Sequence, residues 1–369
     1  MTKPSRFLKI YNIADGITRQ FYNEELENVE IIEQITNNDT AININEASLN
    51  ILPENNTGIL FQRTLPFSIY RDDTLYGQFF ITSSTANASK NLYQVKVSDY
   101  INVLEAQSYL GGLYTNKSVA DLISEILGDI PYTLDATLES KTITGYLPIL
   151  TKREALRQVA FCIGAVVDTS RSDAINIKPI ATTTSRTIPK SAILNIKTTQ
   201  EKITTKITVN INKLSTKGAN ADTIYSEKLN GTTYVLFDNP TYSLSITGGT
   251  IVESNINYAI ISGTGGTVTL TGKQYQIATQ QVSKTNAYSV TPDLEKVDQY
   301  ETTLLCDGED ILDNLQFVEY KIKASFLMSS TKVGDIVSLD GTTCRVMSLN
   351  YNLWQSNIYC DADLEAYYA

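Results

Sequence analysis

The sequence predicts a mainly β chain with minor α content, of α+β class, and three observations carry that prediction. Apolar and polar residues alternate with period two along much of the chain, two short segments switch to helical spacing behind capping residues, and turn chemistry separates the alternating runs. At roughly 100–200 residues per domain, 369 residues imply two or three units, each long enough to bury its own core.

Taken in order, the clearest alternation is Ala41–Ile51, which reads as a half-buried strand. Phe67–Tyr70 and Leu75–Ile81 flank Arg71-Asp72-Asp73-Thr74, the polar turn of a hairpin, and Leu92–Val97 is a further strand after a polar turn at Thr85–Asn91. Strands joined by such short turns form small barrels or sandwiches. The period then changes. Ser118 caps a helix whose Val119, Leu122, Ile123, Ile126 and Leu127 share one face, ended by Gly128 and Pro131. Thr151 caps a second helix, with Glu154 closing a capping box, an apolar stripe of Leu156, Val159, Ala160 and Ile163, and Gly164 at its end. A hairpin follows, from Ala165–Asp168 through a polar turn to Ala174–Lys178, stopped by Pro179.

The Thr- and Ser-rich stretch Thr182–Lys190 reads as a crossover, and Ile203–Ile211 as a long strand with an exposed face. From Lys213 to Tyr300 the chain is rich in Gly, Thr, Ser and Asn, with alternating runs at Tyr234–Phe237, Tyr242–Ile246 and Thr267–Leu270, the pattern of a separate β insertion. Long strands return at Val318–Ala324, Lys332–Leu339 and Cys344–Leu353, with Asp340-Gly341 as a hairpin turn.

Composition restricts the chemistry. There is no histidine, which removes Ser-His-Asp and Cys-His nucleophiles and His-ligated zinc. A net charge of −10 argues against a surface that neutralises phosphates, so no specific nucleic-acid binding is expected. No segment approaches the ~20 apolar residues of a membrane span, and Met1–Phe7 lacks the apolar run of a secretory signal, so cytoplasmic synthesis without membrane insertion is expected. Cys162, Cys306, Cys344 and Cys360 have no Cys-x-x-Cys spacing and read as buried free thiols.

The remaining candidates are bland. Asp307-Gly308-Glu309-Asp310, with Asp313, lacks the register of a calcium loop and reads as a solvated acidic turn. Gly263-Thr264-Gly265-Gly266 lacks the ending of a phosphate loop and reads as a β-turn. Arg153, Arg157 and Arg171 are expected to pair with Glu154, Asp168 or Asp173. No catalytic, cofactor-binding or metal-binding residue is assigned. The 22 tyrosines favour a binding or assembly protein.

The block Leu150–Arg171, with the hairpin Phe67–Ile81, the run Leu92–Leu104 and the segment Lys332–Val337, resembles phage baseplate hub proteins. That resemblance implies a trimeric ring between tail tube and spike, with two tube-type β-barrel domains per subunit, so that three copies match a sixfold tube to a trimeric spike. It implies a first barrel over residues 1–104, completed by strands in 190–213, and a helix-containing segment of the second over 105–189. The β-rich insertion, read from composition and matching no pattern of that family, would span 214–324, and strands in 325–369 would close the second barrel. The implied partners are two further copies of the chain, tail tube protein, spike protein and other baseplate components such as the tape measure protein. The implied location is the tail baseplate of a virion or a phage-tail-like bacteriocin. The acidic balance suits a channel wall that repels phosphates. The chain's end at Ala369 favours a stand-alone hub over the tail-tip protein of a non-contractile phage. A third reading, a carbohydrate-binding or glycan-cleaving protein, would draw an aromatic platform from Tyr234, Phe237, Tyr242 or Tyr258.

Overall fold

A computed structural model describes residues 6–13, 17–22, 25–36, 41–52, 65–87, 89, 91–199, 202–216, 220–286, 295–354 and 357–367. Strands dominate among the described residues, at 63% against 12% helix, which makes this the mainly β, α+β chain that the sequence predicts.

The chain opens with a hairpin, β1 (Arg6–Ile13) and β2 (Ile17–Tyr22), followed by β3 (Leu26–Gln34) and β4 (Glu46–Ile51). The strand expected over Ala41–Ile51 is realised in its second half only. Asn45 is drawn out of the ladder because its backbone N–H donates to the Asp99 carboxylate at 2.9 Å and its side-chain oxygen accepts from Gln34 N at 2.7 Å. β5 (Phe67–Arg71) and β6 (Thr74–Asn87) form the expected hairpin, with Asp72 and Asp73 both at positive φ, the geometry that a two-residue hairpin turn demands. The polar turn expected at Thr85–Asn91 falls partly on residues 88 and 90, outside the described residues, and β6 itself runs to Asn87. β7 (Leu92–Ser98) leads into α1 (Tyr100–Glu105), a six-residue helix too short to show a stripe, capped by the Asp99 carboxylate on Ile101 N.

The helical region holds β8 (Ser108–Tyr109), β9 (Gly112–Ser118), α2 (Val119–Leu127), β10 (Tyr132–Leu134), α3 (Ala136–Glu139), β11 (Thr142–Leu147), β12 (Leu150–Thr151), α4 (Lys152–Cys162), β13 (Ala165–Asp168) and β14 (Ile175–Pro179). Both capped helices stand where the sequence places them. Ser118 Oγ accepts from Asp121 N, and Thr151 Oγ1 accepts from Glu154 N at 3.2 Å. All five stripe residues of α2 are buried, each worth roughly 1.5–3 kcal/mol.

The crossover expected over Thr182–Lys190 contains β15 (Thr184–Ile188), and β16 (Ile193–Thr199) follows it. β17 (Ile203–Ser215) is the long strand expected there, and it buries Ile207, Val209 and Ile211 against Phe161 of α4. Four strands then form a sheet around their own core of Val235, Ala259, Ile261, Val268 and Leu270: β18 (Ala221–Leu236), β19 (Thr241–Thr247), β20 (Gly249–Ser254) and β21 (Tyr258–Gln274). β22 (Gln276–Thr285) and β23 (Glu295–Thr302) return beside β17, one on each side. The β-turn expected at Gly263–Gly266 is instead a kink inside β21. Lys228 faces Thr267 and Asn230 faces Thr264, so Gly265 (φ +99°) and Gly266 bulge from the ladder. A Cβ on Gly263 would meet Leu229 O at 2.7 Å, which reserves that position for glycine.

The chain closes with β24 (Leu304–Cys306), β25 (Val318–Leu327), β26 (Ile336–Leu339), β27 (Thr342–Asn352) and β28 (Tyr359–Tyr367). Asp340 and Gly341, both at positive φ, make the expected turn between β26 and β27. β28 was not foreseen from the sequence, although its pattern alternates strictly.

The largest sheet has 13 strands and runs β16-β25-β28-β27-β3-β4-β7-β6-β5-β1-β2, with β26 and β15 branching from β27. Strands from the two ends of the chain meet directly, because β27 pairs antiparallel with β3. The two tube-type barrels expected from the resemblance are corrected in one respect: none of the described sheets closes on itself. Successive residues of β13 divide two cores. Val166 enters the main-sheet core, while Ala165 and Val167 enter the helical core of α2 and α4, as the two-residue period of a strand buried on both faces requires.

Candidate functional site

The β13–β14 turn, Thr169 to Ala174, sits where these two cores meet and inserts its side chains into the main sheet. Arg171, held at φ +52°, reaches Glu33 of β3 through two nitrogens, Nε to Oε1 at 3.1 Å and a terminal nitrogen to Oε2 at 3.3 Å. The same guanidinium donates to Thr331 O at 2.8 Å and lies 5.6 Å from the ring centres of both Tyr76 and Tyr351. Tyr351 Oη donates to Glu33 Oε1 at 2.7 Å. Glu33 is 1% exposed, and its burial raises the carboxyl pKa while Arg171 and Tyr351 pull it back down. Burial alone would lower the Arg171 pKa, and Glu33 and Tyr351 more than reverse that, so the guanidinium stays charged. The fork geometry suits a buried carboxylate in a way that a lysine would not.

A second network lies alongside. Asp99 accepts from Asn45 N, Ile101 N and Thr169 Oγ1, and Asn45 Nδ2 donates to Thr169 Oγ1 at 2.8 Å. Burial raises the Asp99 pKa from 3.8 to about 6, with these donors opposing the rise. Segments that lie far apart in the sequence are thus tied at one place: β3, the approach to β4, the cap of α1, the β13–β14 turn, β27 and the loop at Thr331.

This seam corrects the expected pairing of the arginines. Arg157 does pair with Glu154, at 2.6 Å, but Arg153 turns to Glu105 and Ile42 O, Arg171 to Glu33, and Asp168 to Lys178 at 2.7 Å. Glu33 and Tyr351 were missed, and the one available signal was a carboxylate on the apolar side of an alternating strand. The acidic segment is the turn that the sequence suggests. Asp310 caps a 3-10 turn at Ile311–Asn314, Glu309 pairs with Lys141, and Asp307 accepts from Thr144. Among the described residues, no three His, Cys, Asp or Glu side chains gather as a metal site, and all four cysteines are free and buried. Of the aromatic residues named for a platform, Tyr234, 64% exposed, adjoins Tyr258, which is buried with its hydroxyl on Glu253, their ring centres 6.5 Å apart, while Phe237 follows β18 and Tyr242 lies on β19.

The outer face of the main sheet is polar along much of its register. Cross-strand pairs set Lys197 beside Lys323, Lys323 beside Asp363, Ser348 beside Gln34, Asn350 beside Ile32, and Ser48 between Glu30 and Lys96. Lysines 96, 197, 321 and 323 stand among Glu30, Glu46, Asp361, Asp363 and Glu365, so the two signs of charge interleave on this face. Amide and hydroxyl side chains such as Gln34, Ser48, Ser348 and Asn350 stand between them, with Ile32. Among the described residues, no helix is long and apolar enough to cross a membrane.

No protein-family model matches the chain, and no curated protein matches its sequence. Solved structures do match its fold. The 43 kDa tail protein of prophage MuSo2 from Shewanella oneidensis superposes with a TM-score of 0.56 at 8% identity, covering 98% of each chain. The tail protein from Neisseria meningitidis MC58 gives 0.55 at 9% identity over 98% of this chain and 96% of the other. The prophage tail protein gp18 from Listeria monocytogenes EGD-e gives 0.53 at 9% identity over 97% and 94%.

Proposed function

This chain has the fold of phage tail proteins from end to end, and we propose that it is a baseplate hub subunit of a phage tail or a phage-tail-like contractile particle, forming a ring that joins the sixfold tail tube to the trimeric spike. The observation that carries the reading is the span of the likeness: 98% of this chain lies against 98% of a tail protein.

Two features of the fold support a ring. The main sheet ends in β2 and β16, whose outer edges have no strand partner among the described strands, and an open edge is a template for another chain. Its polar face, where the two signs of charge interleave, suits a wall past which a polymer slides without adhering. In this reading each chain contributes two tube-type units, one around β3, β4, β6 and β7 and one around β25, β27 and β28, so that three chains present six. The role is assembly, and no bond-making step is assigned to any residue.

Purified protein tested by native mass measurement and negative-stain microscopy decides the matter. A threefold ring with a central opening, retained by immobilised tail tube or spike protein, is the expected result. A monomer with no affinity for either overturns the reading.

A further inference from the structure

The four-stranded sheet of β18 to β21 is joined to the rest of the molecule in an unusual way for a unit of its size. Its core, built on Val235, Ala259, Ile261, Val268 and Leu270, is separate from the cores of the main sheet and of the helical region. The chain enters it after β17 and leaves through Tyr275, the single residue between β21 and β22. At that exit Tyr242 stacks on Tyr275 with ring centres 4.5 Å apart, and Tyr275 N donates to Pro240 O, so the crossing point is packed and local. The strands that carry the sheet are fixed: β17 lies between β22 and β23, and Lys284 of β22 donates to the carbonyls of Leu312 and Leu315.

At the same end of the lobe, where Thr241 N donates to Ile256 O beside Pro240, the turn between β20 and β21 reaches the helical region through two side-chain amides. Asn257 Nδ2 donates to Leu110 O and to Leu147 O, both at 2.8 Å, and Asn255 Nδ2 donates to Gly111 O at 3.1 Å. The approach is close enough that a Cβ on Gly111 would lie 2.8 Å from Asn257 Nδ2 and closer still to Leu147 O and Pro148 O, and Gly111 also sits at φ +64°. The Asn255 side-chain oxygen accepts from Asn257 N and Tyr258 N, which shapes the turn before it docks. These are neutral contacts to backbone carbonyls, each worth roughly 0.5–1.5 kcal/mol net.

We propose that residues 221–274 form a hinged lobe, pivoting at Tyr275 and latched to the helical region by Asn255 and Asn257, so that the lobe can swing as a unit when the latch is released. Release exchanges three amide hydrogen bonds for water, while the lobe keeps its own core and its strand pairing. The lobe carries Tyr234, Leu236 and Val252 outward, each more than half exposed, so a swing re-aims an apolar face with respect to the rest of the assembly. The inference does not rest on the hub reading, because it follows from one chain alone.

Spin labels test it, since the native thiols are all buried and leave introduced cysteines as the reactive ones. Labels at Ser124→Cys on α2 and Val252→Cys on the lobe report one narrow distance in the parent chain. Asn257→Asp keeps the side-chain shape and replaces its two donated hydrogen bonds with a carboxylate facing two carbonyls. The expected result is a second, longer distance population with protection of β21 amides unchanged. A distribution as narrow as the parent's overturns the proposal. Loss of β21 protection in Asn257→Asp also overturns it, because the contact would then be part of the lobe's folding instead of a releasable latch. Asn230→Asp, which alters an exposed lobe amide on β18 opposite the bulge of β21, should leave the distance unchanged.

Discussion

The seam around Arg171 and the latch around Asn257 both join parts of the chain that are distant in sequence, and they do it with opposite chemistry. At the seam a buried ion pair is enclosed by two tyrosine rings and by a second carboxylate network, and β13 sends side chains into two cores. At the latch three neutral amide bonds meet backbone carbonyls, and the lobe's core stays its own. A buried charge that loses its partner has nowhere to go, whereas a latch amide released to the surface finds water. The seam therefore makes the main sheet and the helical region one body, and the latch leaves the lobe separable.

The sharpest way to break this contrast is Arg171→Ala. It strands Glu33 at 1% exposure and is expected to cost about 3–5 kcal/mol of global stability in urea denaturation. A loss below about 1 kcal/mol would mean that water reaches Glu33 and that the seam is no weld. Leu270→Ala, a fully buried change in the lobe, is expected to cost about 2–5 kcal/mol. That loss should appear as amide exchange in β18 and β21 while protection at Val346 and Leu349 persists. If both regions lose protection together, the lobe is not separate.

Proton linkage gives the next effect. Burial raises the Asp99 pKa from 3.8 to about 6, and raises Glu33 as well. Unfolded, both carboxyls titrate near their ordinary values, so the folded chain holds these protons more tightly. Their contribution is fully present at pH values below the unfolded pKa and is lost as pH rises through the folded one. Stability should therefore fall between about pH 4 and pH 6, by on the order of 3 kcal/mol for Asp99. Asp99→Asn, which keeps a capping side chain for α1, should flatten that slope. An unchanged slope would shift the titration to Glu33. The smallest effect is Thr151→Ala, expected to cost about 1 kcal/mol through the lost cap of α4, the helix that feeds β13 into the seam.

Local signals carried far in this chain. Ser118 and Thr151 cap their helices, Asp72-Asp73 and Asp340-Gly341 turn their hairpins, and the alternating runs became strands because one face of each meets a core. The pairing of β27 with β3 was not legible, since it joins residues more than 300 positions apart and alternation fixes a face without naming a neighbour. Arg171 was noticed, but its partner Glu33 was not, because Asp168 and Asp173 are nearer in sequence and the partner is chosen by the sheet. The glycines at 263–266 mark a bulge, and composition alone does not tell a bulge from a turn. The placement of charge was equally hidden: a total of −10 says nothing about its distribution, and the strand register sets lysines among the carboxylates of the polar face.

The central claim is that this chain assembles into a tail hub. The most direct test is the native mass and symmetry of the purified protein alone. The account predicts a particle three times the mass of the 40.9 kDa chain, with a threefold ring and six similar outer lobes around an opening. A monodisperse monomer at assembly concentrations, with no ring in micrographs and no binding to tube or spike protein, would contradict it.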